Sequence, residues 1–140
     1  MMTDLQAHHY AVTVADLDRA LEFYRDVLGL DVVDEFSLSD ESFATAVGVD
    51  GATGSFVHLD ADGVRVELIE YDPEGAAVDD QSVNQAGATH LGLSVSDVDA
   101  FYDGLPEDVE TLSPPQTTDS GARILFVRDP EGTLVELLEP

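Results

Sequence analysis

Two histidines and two glutamates of this 140-residue chain stand at matched places in a repeated pattern. The stretch that begins at His9 lines up with the stretch that begins at His90, and both alternate in the manner of a β-strand. A second repeated segment places Glu67 and Glu136 four residues after a turn glycine. Two imidazoles and two carboxylates form a nitrogen and oxygen set that suits Zn, Ni, Co, Mn or Fe(II).

The neighbours of the two glutamates strengthen this interpretation. Each carboxylate interrupts an apolar run, Val66 to Ile69 or Val135 to Leu138, where an unpaired charge is costly and a cation would remove the cost. A lone histidine at the start of a strand is usually a surface or hydrogen-bonded residue, and a lone glutamate in a strand is usually solvated. Recurrence at matched places in both halves favours ligands instead.

The repeat predicts two modules of one strand, one helix and three strands each. We expect one domain, 1–140, made of modules at about 7–72 and 88–140 with a linker at 73–87. Asp16 is a candidate N-cap for a helix that Gly29 ends, and an insertion between Ser39 and Gly54 carries a short helix at 41–47. The predicted strands are 8–14, 30–38, 55–60 and 63–71, then 89–95, 109–112, 122–128 and 133–139, with a helix at 97–104.

The expected fold class is α+β, with two tandem βαβββ modules that form a curved mixed sheet around a central cleft. Half of this chain cannot easily bury both faces of a sheet, so the modules should pack as a pair, within one chain or between two chains. We expect a homodimer and a small-molecule substrate in the cleft.

Strand alternation indicates which residues share a face with each glutamate. A two- or four-residue loop near Asp60–Gly63 places Phe56, His58 and Arg65 on the face of Glu67, and the same rule across Asp129–Gly132 places Arg123, Leu125 and Val127 with Glu136. The predicted substrate-binding residues are Phe56, His58, Arg65, Arg123 and Leu125.

Each of these assignments has an alternative. The two arginines could meet a substrate carboxylate or pair with some of the many acidic residues. His58 could support the metal ligands or simply fill the sheet surface. His8 should point to the face opposite His9 and is interpreted as structural.

Composition excludes several classes of function. The chain contains thirty Asp and Glu residues, five arginines and no lysine, which gives a net charge of −25. This charge argues against nucleic acid and anionic membranes as partners. The absence of cysteine excludes disulfides and thiolate ligands. Without a leader-like or membrane-spanning apolar run, the chain is expected in the cytoplasm. Acid spread over the whole chain is typical of proteins from salt-accumulating halophiles.

The residues also resemble a known superfamily over nearly the whole chain. The matching segments are His9-x-Ala-Val-x-Val-x-Asp-Leu17, Phe23-Tyr-x-x-Val-Leu-Gly-Leu30, Val64-x-Val-Glu-Leu68, His90-Leu-Gly-Leu-x-Val95, Arg128-Asp-Pro-Glu-Gly132 and Val135-Glu-Leu-Leu-Glu139. Together they resemble the vicinal oxygen chelate superfamily, which includes glyoxalase I, bleomycin-resistance proteins, methylmalonyl-CoA epimerase and extradiol dioxygenases. The resemblance implies one divalent metal ion, no organic cofactor, and the ligands His9, Glu67, His90 and Glu136.

The complete His-Glu-His-Glu set is similar to that of bacterial glyoxalase I and methylmalonyl-CoA epimerase. It implies a lyase that moves a proton between adjacent carbons of a chelated hydroxy-carbonyl substrate such as a hemithioacetal, with Glu136 as the base and Glu67 as its symmetry-related partner. The alternatives are an epimerase of the same chemistry, a non-catalytic binding protein and an extradiol dioxygenase. Thr13 and Tyr71 stand where bacterial glyoxalase I has its glutathione anchors, so the resemblance does not extend to that thiol.

Overall fold

Two four-stranded mixed sheets with short helices make up the described part of the chain. The computed structural model describes residues 4–78 and 81–140, and the chain divides into two units between Ala76 and Ala77. The first unit contains β1 (His9–Thr13), α1 (Leu17–Leu21, continued as a π-helix over Glu22–Val27), β2 (Asp31–Leu38), α2 (Glu41–Val47), β3 (Thr53–Asp60) and β4 (Arg65–Asp72). The second contains β5 (Leu91–Ser94), α3 (Val98–Asp103), β6 (Gln116–Thr117), β7 (Arg123–Arg128) and β8 (Leu134–Glu139).

Both sheets have the same topology. The strand orders are β1-β4-β3-β2 and β5-β8-β7-β6. In each sheet the first strand pairs in parallel with the last, and the other two pairings are antiparallel. The α+β class and the two tandem βαβββ modules predicted from the repeat are confirmed.

The crossover helices begin where the sequence predicts. Asp16 accepts a hydrogen bond from the Arg19 amide at 3.1 Å, and Asp97 accepts one from the Ala100 amide at 3.0 Å, as N-cap aspartates do. The first helix widens after Leu21, where the Leu28 amide bonds to the Phe23 carbonyl five residues back. Among the described residues, no helix combines the length and the apolar content that crossing a membrane would need.

The core of the first unit lies on one face of its sheet. Val12, Leu68 and Leu59 are buried there, and α1 packs against β4 through the fully buried Ala20. The other face of the sheet is therefore free of the crossover helix, and it carries His9 and Glu67.

The strand predicted at 109–112 is largely absent. Only Thr111 forms a bridge, to Val127, and pairing with β7 resumes at Gln116–Thr117. The interruption contains Pro114 and Pro115, which have no amide hydrogen to donate to a neighbouring strand.

Candidate active site

His9 and Glu67 meet on the open face of the first sheet. β1 runs parallel to β4 with Ala11 opposite Glu67, so the side chain of His9, two residues earlier, lies on the same face. Its Nε2 is 3.6 Å from Glu67 Oε1. The glutamate is buried at 7% exposure, whereas the histidine side chain is 37% exposed. The pair therefore presents an accessible imidazole beside a carboxylate held in an apolar strand.

His90 and Glu136 form the equivalent pair in the second unit. Gly92 lies opposite Glu136 in the parallel pairing of β5 with β8, and His90 again stands two residues earlier. The distance from His90 Nε2 to Glu136 Oε1 is 3.2 Å, and the histidine side chain is again 37% exposed. The repeat therefore reproduces the contact geometry as well as the residue types.

The distances within each pair suit a metal site. Neighbouring ligands at the usual 2.0–2.2 Å from an octahedral ion lie about 3 Å apart, close to the separations found here. Within residues 4–78 and 81–140, no group of three His, Asp or Glu side chains is arranged to hold an ion. Each unit thus offers two ligands of the predicted four.

His58 contacts the carboxylate of Glu67, and Arg65 contacts His58 in turn. His58 lies directly opposite Glu67 in the pairing of β3 with β4, and its Nε2 is 2.6 Å from Glu67 Oε2. Arg65 Nη1 lies 3.2 Å from His58 Nδ1. The predicted face of Glu67, with Phe56, His58 and Arg65, is confirmed.

An aromatic cluster lies on the same face, beside His58. Phe36 stacks on Phe56 with ring centroids 4.7 Å apart, and Phe43 from α2 stacks parallel to Tyr71 at 6.1 Å. Burial, together with the negative charge of Glu67, raises the pKa of Tyr71 and keeps its hydroxyl protonated. Of these four rings, only Phe56 was predicted from the sequence to lie at the site. The alternation of residues in β2 and the helix in the insertion are the sequence features that could have indicated Phe36 and Phe43.

A family model covers residues 6–137 of the chain, and its description is Glyoxalase/Bleomycin resistance protein/Dioxygenase superfamily. The chain belongs to this superfamily. Its members bind small-molecule substrates, and a divalent metal ion is common among them. The matched region includes both histidine–glutamate pairs.

Two enzymes are among the relatives that resemble this chain in sequence. A 2-epi-5-epi-valiolone epimerase from Actinomyces sp is 33% identical over 94% of the chain and 77% of its own length. The lactoylglutathione lyase of Arabidopsis thaliana is 28% identical over 94% of the chain, which spans only 43% of that enzyme. A glyoxalase family protein from Bacillus cereus has a similar structure, with a TM-score of 0.87, 22% identity, and coverage of 99% of this chain and 95% of its own. That structural likeness shows the fold.

The prediction of which side chains share a sheet face with Glu136 is wrong. Phe126 lies directly opposite Glu136, so Arg123, Leu125 and Val127 point to the other side of the sheet. Leu125 is a core residue at 1% exposure. Phe126 takes their place on the site face, and its ring meets His90 edge-on at 5.0 Å between centroids.

The error comes from the length of the second hairpin loop. In the first hairpin, Asp62 and Gly63 both have positive φ and form a two-residue turn. Pro130 cannot adopt positive φ, so the second hairpin uses a three-residue loop that ends at Gly132, with φ of 88°. An odd loop length shifts the pairing by one residue, and each side chain of β7 changes face.

Arg123 forms an ion pair with an acidic residue, Asp99. This pairing was the predicted alternative to binding a substrate carboxylate. The Nε and Nη2 of Arg123 each lie 2.8 Å from a carboxylate oxygen of Asp99 on α3, and Nη1 donates to Thr117. The hydrogen bond from Arg123, with its charge, lowers the pKa of Asp99. Arg123 therefore joins helix to sheet on the face away from Glu136.

We predict that Arg123→Met leaves metal binding unchanged and lowers the melting temperature only slightly at neutral pH, because exposed ion pairs are weak. The lowered pKa of Asp99 means that the pair stabilises the fold above the ordinary value of 3.8, and that this contribution is lost as the pH falls through the lowered pKa. Thermal melts of both proteins from neutral to acidic pH should converge. A loss of metal affinity in the variant would contradict this placement.

His8 does not point away from the site. Its Nδ1 lies 2.8 Å from His9 Nδ1, and its ring is 6.4 Å from that of His58. The strand begins at His9, so the alternation of the pleat does not extend to the preceding side chain. His8 consequently lies beside His9 and His58.

A separate cavity of about 300 Å³ lies in the first unit. Its lining is polar and contains no member of the histidine–glutamate pair: Ala15, Thr53, Ser55, Glu70, Tyr71, Asp72 and Glu74. This cavity is distinct from the candidate metal ligands.

Proposed function

We propose that this protein is a metal-dependent lyase of the glyoxalase I type. Its substrate would carry a hydroxyl and a carbonyl on adjacent carbons, as a hemithioacetal does. The protein would move a proton from one of these carbons to the next. A cytoplasmic location and a homodimeric assembly are part of the same proposal.

The observation that carries the proposal is the repeated pair of a histidine Nε2 and a glutamate Oε1. The two separations, 3.6 Å and 3.2 Å, are close to the distance of about 3 Å expected between neighbouring ligands on one ion, which supports the proposal. We propose that His9, Glu67, His90 and Glu136 together bind one divalent ion, which leaves two octahedral positions for substrate oxygens. The lactoylglutathione lyase named among the relatives supports a lyase of this kind.

The chemistry assigned to the chain is proton transfer by a carboxylate. When bound, the ion supplies stabilisation of negative charge on the substrate oxygens. Glu136, at 19% side-chain exposure, accepts the proton from one carbon and returns it to the other. Arg65 is exposed beside the buried Glu67 and could hold a carboxylate of the substrate. Phe56 and the aromatic cluster would exclude water next to the reacting carbons.

An epimerase is the second candidate. The relative at 33% identity carries that activity in its name, and it is matched over 94% of this chain. Epimerisation needs the same proton removal but returns the proton to the same carbon on its other side. The same metal ligands would serve both reactions, but epimerisation also needs an acid on the side opposite the base to donate the returning proton.

The decisive experiment is metal analysis of the purified protein, followed by an activity screen. We expect close to one divalent ion per four-ligand set. Hemithioacetals made from one 2-oxoaldehyde and several thiols would be tested for thioester formation in deuterated water. Thioester indicates the lyase, whereas deuterium incorporation without thioester indicates the epimerase. A protein that binds no divalent ion would instead fit the non-catalytic binding class.

A matched pair of variants tests the ligand assignment. Glu67→Gln and Glu70→Gln each remove one negative charge from the same strand, but Glu70 is three residues later and lies on the opposite face. We expect Glu67→Gln to weaken the binding of Zn²⁺ or Ni²⁺ in isothermal titration, because a neutral amide is a poor ligand. Glu70→Gln should retain the wild-type affinity. Equal affinities for both variants would refute Glu67 as a ligand.

A further inference from the structure

His58 is held at both ring nitrogens, on one side by a cation and on the other by a carboxylate. Its Nδ1 lies 3.2 Å from Arg65 Nη1, and its Nε2 lies 2.6 Å from Glu67 Oε2. The ring is buried at 4% exposure, with Phe36 edge-on at 5.3 Å between centroids. A buried imidazole with two polar contacts and an aromatic neighbour has little freedom to rotate.

These contacts determine where the proton of His58 is. A guanidinium group has donors only, so Nδ1 must accept the hydrogen bond from Arg65 and carries no proton. The proton is therefore on Nε2, which donates it to Glu67 Oε2. This hydrogen bond uses one carboxylate oxygen and leaves the other, Oε1, towards His9.

The second unit lacks this arrangement at the equivalent position. Phe126 lies opposite Glu136 as His58 lies opposite Glu67, and a phenyl ring cannot donate a hydrogen bond to a carboxylate. Glu136 is also more exposed, with 19% of its side chain accessible against 9% for Glu67. Glu136 is within hydrogen-bond distance of His90, which is itself a candidate ligand, whereas Glu67 has its hydrogen bond with His58, which is not. The two glutamates thus match in sequence and differ in the residue that holds them.

We infer that His58, backed by Arg65, is a positioning residue that holds Glu67 in place as a ligand of the divalent ion. Glu136, without such a donor opposite it, is then the carboxylate that can move to accept the substrate proton. This inference rests on the proposed function, because it divides the two glutamates of that site into a fixed ligand and a mobile base. Hydrogen-bonding partners of metal ligands typically change metal affinity or activity about 10–100-fold when they are removed.

The test is the affinity of the metal-free protein for Zn²⁺ in two variants of the same residue. His58→Leu removes both hydrogen bonds and should weaken binding about 10–100-fold. His58→Gln supplies an amide N–H for Glu67 and an amide oxygen for Arg65, so it should restore most of the affinity. If His58→Leu does not fold in a thermal melt, His58→Asn replaces it, because that amide is too short to reach Glu67. Wild-type affinity in His58→Leu or His58→Asn, or equal losses in His58→Leu and His58→Gln, would overturn the inference.

A double-mutant cycle shows whether His58 acts through Glu67. In the Glu67→Gln background, His58→Leu should cause little further loss of affinity, since the carboxylate that it positions is gone. A loss as large as in the wild-type background would mean that His58 supports the fold rather than the ligand. Glu67→Gln should also weaken binding more than Glu136→Gln does.

The outcomes separate this inference from the proposed function. If neither Glu67→Gln nor Glu136→Gln weakens Zn²⁺ binding, the ligand set is wrong and the proposed function fails with it. If Glu67→Gln weakens binding and His58→Leu does not, the ligand set stands and only the role of His58 is refuted.

Discussion

Replacing Glu136 with glutamine will remove turnover more completely than it removes the metal ion. The amide oxygen can still bind weakly to a cation, but the amide cannot accept a proton. A positioned general base contributes about 10²–10⁴-fold to a rate, so kcat should fall by that range. Metal content and kcat, measured on the same preparation, test the two effects separately.

Glu139→Gln is the matched control for this variant. Glu139 is in the same strand, three residues later, and its Oε1 accepts a hydrogen bond from the Val98 amide at the start of α3. Glutamine keeps that acceptor and removes the same charge, so turnover should stay near the wild-type value. Near-normal kcat in Glu136→Gln would show that Glu136 is not the base.

The protein is expected to require concentrated salt for stability. At a net charge of −25, the acidic side chains repel one another over a Debye length of about 30 Å in 10 mM salt and about 3 Å in 1 M salt. We expect the melting temperature to rise by roughly 10 °C or more across this range, since each kcal/mol moves the midpoint by a few degrees. Thermal melts in a KCl series would measure the effect.

Divalent metal and a neutral solute provide the controls for the salt series. Added Zn²⁺ or Ni²⁺ should restore part of the stability at low salt, because the ion binds the folded state. Sucrose at matched osmolality should not reproduce the effect of KCl, since it does not screen charge. A melting temperature that is unchanged between dilute buffer and molar KCl would refute the halophilic interpretation without affecting the candidate ligands.

The repeat was sufficient to predict the fold class and the two histidine–glutamate pairs. A duplicated module keeps equivalent residues at equivalent positions of its strands, so matching His9 with His90 and Glu67 with Glu136 already implied matching contacts. N-cap aspartates and turn glycines predicted the helices for a similar reason, because their effect on the backbone is local. The face of Glu67 also followed from local information, because a two-residue and a four-residue loop near Asp60–Gly63 both put the same side chains on that face.

Other features depended on the three-dimensional arrangement. The choice of Asp99 as the partner of Arg123 depends on how α3 lies over its sheet, which no spacing in the chain reveals. The position of His8 depends on where β1 begins, because the pleat orients only the residues within the strand.

For the candidate site, residue types and periodicity sufficed to nominate the ligands, whereas the tertiary structure decided how each is held. Sequence placed His58 on the face of Glu67, but only the pairing of β3 with β4 brings its Nε2 within 2.6 Å of the carboxylate. The side chains that share a face with Glu136 depend on one extra loop residue, which accommodates Pro130. This residue shifts the pairing of β7 with β8 by one position. Alternation is a local property of a strand, whereas register is decided jointly by two strands and the loop between them, and that joint constraint determines which side chains surround the glutamates.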